Sequence, residues 1–233
     1  MSRPARASAF KTQDYLRNLP LFRELGDEEL TRIAAATGQV RAAAGTILFR
    51  RGDQPAGFHV VVYGQVKLSL TTADGAEKVI EVIGPGMSFG EAVMLLDKPY
   101  MVTAETLADA LLLTVGKHAV FGELDRNPAM ARRMLAGLSM RLHRMVADLE
   151  ALSLRSATQR VIGYLLRDVP ETPDGPMDVR LTVAKGVIAS RLNITREHFS
   201  RILGELTAAG LIEVSGRSVR LLDVRRLMEH GAT

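Results

Sequence analysis

One stretch of the chain restricts its folding more than any other. Leu135, Leu138, Leu142, Met145, Leu149 and Leu152 follow one another in alternating steps of three and four. This is an a/d heptad seam, narrower than the stripe of a helix buried on its own globular core. Arg141, Arg144, Asp148 and Glu150 lie off the seam, and Asn127-Pro128 supplies a helix start. The spacing predicts a dimerisation helix over residues 127–154. It also predicts a parallel homodimer with its two-fold axis along that helix.

The sequence on either side of the seam has a different texture. Residues 14–38 read as helical, with an N-cap and an acidic first turn at Asp27, Glu28 and Glu29. From Gly45 onward, glycines punctuate short β-rich runs: Thr46–Phe49, Phe58–Tyr63, Val66–Thr71, Lys78–Ile83, Val102–Leu107 and Leu111–Val115. Asp74-Gly75 is a hairpin signal. This spacing predicts an antiparallel barrel or sandwich, the natural place for a sensor. After the seam, Ala157–Val169 reads as a helix, Pro170–Pro176 as a loop and Val179–Val183 as a strand. Two helices follow, Ala184–Leu192 and Thr195–Leu206. Leu211–Val214 and Ser218–Leu222 then flank the turn Ser215-Gly216-Arg217 as a wing.

Composition excludes several chemistries. With no cysteine in 233 residues, disulfides, thiolate zinc sites, iron–sulfur clusters and thiol catalysis are ruled out. No apolar run approaches the ~18–20 residues of a membrane span. Met1–Phe10 lacks the apolar core of a secretory signal, so a cytoplasmic protein with no membrane partner is expected. Walker, nucleophile-elbow and HExxH patterns are absent, which argues against an enzyme. Charge is uneven: residues 155–233 carry 12 Lys and Arg against 9 Asp and Glu, the remainder 18 against 17. A basic excess of this size permits nucleic-acid binding without requiring it.

The pair of helices after residue 183 carries the functional signal. Ile188, Ala189, Leu192 and Ile194 oppose Phe199, Ile202, Leu203 and Leu206 across a turn at Asn193, the pattern of a helix-turn-helix. Asn tolerates the left-handed conformation such a turn needs, and Thr195 can cap the second helix. On its other face Arg196, Glu197, Ser200 and Arg201 share one stripe. Arg can fork onto guanine, Glu can accept from cytosine, and Ser can approach a thymine methyl or a phosphate. Lys185, Arg191, Thr195 and Arg217 are the candidate phosphate contacts.

The whole of residues 15–228 resembles the Crp/Fnr superfamily of bacterial transcription regulators. The resemblance rests on Phe49-Arg50-Arg51-Gly52-Asp53, Gly64-Gln65-Val66-Lys67-Leu68, Phe89-Gly90-Glu91 and, most specifically, Glu197-His198-Phe199-Ser200-Arg201-Ile202-Leu203. Within it the chain is most similar to the Dnr group of nitric-oxide-responsive denitrification regulators, through residues 75–82, 91–94 and 138–154. The resemblance implies an α+β chain in three parts: helices and an antiparallel, cyclic-nucleotide-binding-like β-roll sensor over 1–126, a dimerisation helix over 127–154, and a winged helix-turn-helix over 155–233. It implies a homodimer on a palindromic DNA operator, with RNA polymerase as a partner. Glu197, Ser200 and Arg201 match the readers of TTGAT-type half-sites. Arg196 matches the cyclic-AMP receptor branch, which reads TGTGA-type sites.

The effector follows less directly. Gly90 and Glu91 match the cyclic-nucleotide site of the family, but Tyr100 and Met101 stand where that branch has an Arg-Ser pair. A cyclic phosphate would lose its charge-assisted partner there, so cyclic AMP is not expected. Similarity to the Dnr group implies haem b as a cofactor. Among the five histidines, His59 and His143 are the candidate axial ligands. Met87, Met94, Met101, Met134 and Met145 are candidates for the lining of an apolar slot.

Overall fold

A computed structural model describes residues 11–19, 22, 25–72, 75–170 and 175–232. The chain divides into two compact units. One holds residues 1–70 and 81–142, the other residues 71–80 and 143–233. The division follows neither boundary of the three-part reading: the hairpin segment 71–80 groups with the C-terminal unit, and the long helix is divided after Leu142.

The first unit holds most of two four-stranded sheets. Strands β1 (Thr37–Ala42), β8 (Ala110–Gly116), β3 (Gly57–Tyr63) and β6 (Ser88–Phe89) form one, in that order. Strands β2 (Ile47–Phe49), β7 (Thr103–Thr106), β4 (Val66–Thr71) and β5 (Glu77–Ile83) form the other. Period-two alternation separates two cores. On β3 and β8, Phe58, Val60, Leu113 and Val115 face the helices. Val61, Ala110 and Leu112 face the interior of the roll, with Phe49, Phe89 and Tyr100. The helical layer comprises α1 (Thr12–Arg17), α2 (Asp27–Ala35), α4 (Lys117–Arg126) and the start of α5 (Pro128–Leu154). Leu16, Leu30, Ile33, Val120, Met130 and Met134 pack there. Asn127 caps α5 by accepting from the Ala129 and Met130 amides. The strand ladder leaves no room beside Gly57, where a Cβ would lie 2.0 Å from the Val115 carbonyl oxygen.

Several expectations are corrected. The helical stretch 14–38 holds two helices, α1 and α2, and ends in strand, since β1 begins at Thr37. Gly26, not Asp27, is the N-cap of α2, and its amide donates to Glu29. Strand β1 was hidden because it is an edge strand with mostly exposed residues, so no alternation marks it. Strand β6 is only two residues long. Helices α3 (Glu91–Leu96) and α4 were also unmarked by periodicity. Asp74 lies outside the described residues, as do residues 171–174 of the Pro170–Pro176 loop.

In the second unit, α6 (Ala157–Leu166) starts from a reciprocal cap between Ser156 and Gln159. Strand β9 runs Met177–Arg180, earlier than the Val179–Val183 expected. Leu181 and Val183 are buried beyond its end. Helices α7 (Lys185–Arg191) and α8 (Arg196–Ala208) follow. Then β10 (Ile212–Ser215) and β11 (Ser218–Leu221) form a hairpin. Strand β9 pairs with β11, giving a three-stranded wing sheet. Helix α9 (Val224–Ala232) closes the unit and was not anticipated.

Candidate nucleic-acid interface and effector site

Helix α8 owes its exposed face to what its other face buries. Phe199, Ile202, Leu203 and Leu206 are buried, as are Ile188 and Ala189 of α7. Leu192 and Ile194 are half-buried at the turn. Asn193 takes φ 57°, one of two non-glycine residues with positive φ among those described. The turn is held by its carbonyls. Arg160 Nε of α6 donates to Leu192 O at 2.9 Å. The Lys78 ammonium, in the hairpin segment of the same unit, donates to Ser190 O and to Asn193 Oδ1. Cationic donors on the last carbonyls of α7 complement its dipole.

Thr195 then starts α8, its Oγ1 accepting from the His198 amide at 3.1 Å. The hydroxyl proton stays available for a phosphate oxygen. Burying Phe199 and Ile202 turns Arg196, Glu197, Ser200 and Arg201 outward together, and all four are exposed. Arg201 Nε lies 3.7 Å from Glu205, an exposed pair too weak to immobilise it. Arg217 stands exposed at the wing tip beside Gly216, whose φ of 60° fits the tight turn. Lys185 is half-buried at the start of α7. Arg191 is half-buried, and its Nη2 lies 3.5 Å from Asp148 of α5. The pair is partly exposed, and like the Arg201–Glu205 pair it is too weak to keep Arg191 from a phosphate.

The effector residues are only partly brought together. Gly90 has φ 93°, which a side chain rarely tolerates, and it opens α3. Glu91 is 6% exposed, and burial pushes its carboxyl above the usual range. Tyr100 points inward, stacking on Phe49 at a centroid distance of 3.5 Å. Burial raises its hydroxyl to about 12. Met101, however, is 68% exposed and does not line the site. The residue the sequence did not point to is Arg141 on α5. Its Nη2 pairs with Glu81 at 2.5 Å, and its Nη1 lies 3.6 Å from Glu91. It also donates to Ser88 O at 3.1 Å. The signal was its place off the heptad seam, which reads equally as a solvated position.

The two histidines differ. His59 sits between the rings of Phe49 and Phe89, at 5.7 and 5.1 Å. Its Nδ1 meets Thr114 Oγ1 at 3.0 Å, and its Nε2 lies 3.4 Å from the Tyr100 hydroxyl. Burial lowers its pKa to about 4. His143 is exposed on α5. The methionines line no common slot. Met94 and Met134 belong to the helix-side core, Met87 packs against the roll interior, and Met101 and Met145 are exposed.

A β-roll followed by a winged helix-turn-helix defines an effector-responsive, DNA-binding regulator, and the comparisons agree. Residues 39–127 match the cyclic nucleotide-binding domain and residues 159–230 the Crp-like helix-turn-helix domain. A probable transcriptional regulator, Flp, from Lacticaseibacillus casei is 31% identical, covering 88% of this chain and 92% of its own. The cyclic AMP receptor protein of Thermus thermophilus is 26% identical over 92% of this chain and 97% of its own. The crystal structure of DNR from Pseudomonas aeruginosa is 35% identical, with TM-score 0.51, covering 93% of this chain and 96% of that one.

The chain belongs to the Crp/Fnr family. It is a transcriptional regulator with an effector-binding domain and a DNA-binding helix-turn-helix, and it is not an enzyme. No described helix is long and apolar enough to cross a membrane.

Proposed function

We propose that the protein acts as a homodimer that reads a TTGAT-type palindrome and responds to nitric oxide or another redox or low-oxygen signal. The single observation that carries the operator reading is the exposed row Glu197, Ser200 and Arg201 on a helix whose opposite face is buried. Arg196, exposed on the same helix, favours the second reading, a TGTGA-type site under small-molecule control. Two heads on one dimer would meet half-sites about one helical turn (~34 Å) apart.

The dimer reading is supported by α5. Leu135, Leu142, Met145 and Leu149 are each more than half exposed, and a second copy of the helix would cover them. Leu138 belongs less to this seam, because it packs against its own unit. Leu152 is half-buried. RNA polymerase is the partner such a bound dimer would recruit.

The nitric-oxide reading draws on the sequence resemblance to the Dnr group through residues 75–82, 91–94 and 138–154. The donor set does not fit haem at His59, whose two ring nitrogens face Thr114 and Tyr100 within an aromatic stack. His143 is exposed, and residues 142–150 around it are exposed as well. Cyclic AMP also fits poorly, because Tyr100 stacks in the roll interior and Met101 faces outward.

Gel shifts on a TTGAT-type palindrome, with a TGTGA-type control and with or without a nitric-oxide donor, test the reading. Preferential retardation of the first, modulated by the donor, supports it. Preference for the control would establish the second reading. Hemin titration that yields a sharp Soret band would restore haem. Micromolar cyclic-AMP binding by calorimetry would refute its exclusion.

A further inference from the structure

We propose that Arg141 is the positioning residue that fixes α5 on the effector unit, and that its ion pairs form the latch governing where the helix leaves that unit. The inference rests on the dimer reading above, in which the exposed seam of α5 pairs with a second copy.

Contacts change character along the helix. Met130 and Met134 are buried in the helix-side core, and Leu138 packs against its edge. Arg141 comes one turn later. From 142 to 150 every residue is exposed. Arg141 is thus the last side chain before this exposed run, and it holds by charge where its predecessors hold by apolar packing.

Its partners come from three segments. Glu81 is on β5, the Ser88 carbonyl is on β6, and Glu91 is in the first turn of α3. One planar guanidinium can serve all three because its donors are fixed in a fork. The side chains of Arg141, Glu81 and Glu91 are 23%, 22% and 8% exposed, so solvent screens the cluster only in part. Removing the guanidinium leaves the enclosed Glu91 carboxylate without its counter-charge. Glu91 is also the residue the family resemblance places in the effector pocket. The latch therefore links the pocket to the helix that carries the seam, and Leu142 of that seam is its immediate neighbour in sequence.

The test is hydrogen exchange on the full chain, read at the backbone amides of residues 138–146. It is joined by sedimentation to measure the dimer constant and by gel shift on the TTGAT-type duplex. Arg141→Gln is expected to speed exchange in that segment about ten-fold, the equivalent of about 1.4 kcal/mol. It should also weaken dimerisation while α6 to α9 exchange as before. The double variant, Arg141→Gln with Glu81→Gln, is expected to exchange little faster than Arg141→Gln alone because their pair is already broken, whereas independent packing roles would add. Arg141→Lys should fall between wild type and Arg141→Gln, since it keeps the charge and loses the fork. Unchanged exchange in Arg141→Gln overturns the proposal. So does equal acceleration throughout the chain, or fully additive acceleration in the double variant. A wild-type protein that shifts no operator sinks the functional reading instead, and leaves the exchange result standing on its own.

Discussion

The Thr195 hydroxyl oxygen accepts the backbone N–H of His198 at 3.1 Å, and this bond sets the first turn of the helix that carries the reading row. Thr195→Ala should cost about 1 kcal/mol of stability. Urea unfolding would show a lower midpoint with an unchanged slope. Thr195→Ser should restore it.

Arg201 and Lys185 should separate by the kind of loss. Arg201→Ala is expected to cost ~1–3 kcal/mol on the operator and little on random duplex, because a base-reading fork is lost. Lys185→Ala and Arg217→Ala should weaken both and flatten the salt dependence. Anisotropy titrations across a salt series distinguish the two patterns. Equal losses on both duplexes for Arg201→Ala would remove it from the base-reading row.

Asn193 occupies a left-handed position at φ 57°. Asn193→Ala should destabilise the C-terminal unit by about 1–2 kcal/mol, and Asn193→Gly should be tolerated better. Thermal unfolding of the full chain gives the comparison.

His59 predicts an acid limb. Its folded pKa of about 4 lies below the usual 6.5 because burial disfavours the charged ring. Between those values the unfolded chain binds the extra proton. The contribution is therefore fully present above pH 6.5 and is lost as pH falls toward 4. Stability measured across this window should drop in the wild type and drop less in His59→Gln. An identical slope in both proteins would mean that other groups produce the limb.

Much of this architecture is legible in the chain itself. The heptad from Leu135 to Leu152 announces α5 because its period is long and uninterrupted. The outward row on α8 is legible because Phe199, Ile202 and Leu203 fix the inward face. What escaped has physical reasons. Strand β1 is an edge strand whose exposed Gly38, Gln39, Val40 and Arg41 show no alternation. Helix α3 is six residues long, too short for a period to register. The Arg141 cluster joins residues 50 to 60 positions apart, and no local pattern carries such a contact. Nor does any local pattern carry the approach of Arg191 to Asp148. Tyr100 and Met101 are adjacent in sequence, yet one enters the roll and the other faces outward.

If the α8 row reads DNA in two copies related by a two-fold axis, the spacing of the half-sites must matter. The most direct measurement is anisotropy on operators whose TTGAT-type half-sites are spread by about five or about ten base pairs. The half-turn insertion puts one half-site on the wrong face, so binding should fall to the level of a single half-site. The full-turn insertion restores the face and should recover part of the affinity. Affinity indifferent to both insertions, or equal to that for random duplex, would show that the row does not read DNA in paired copies.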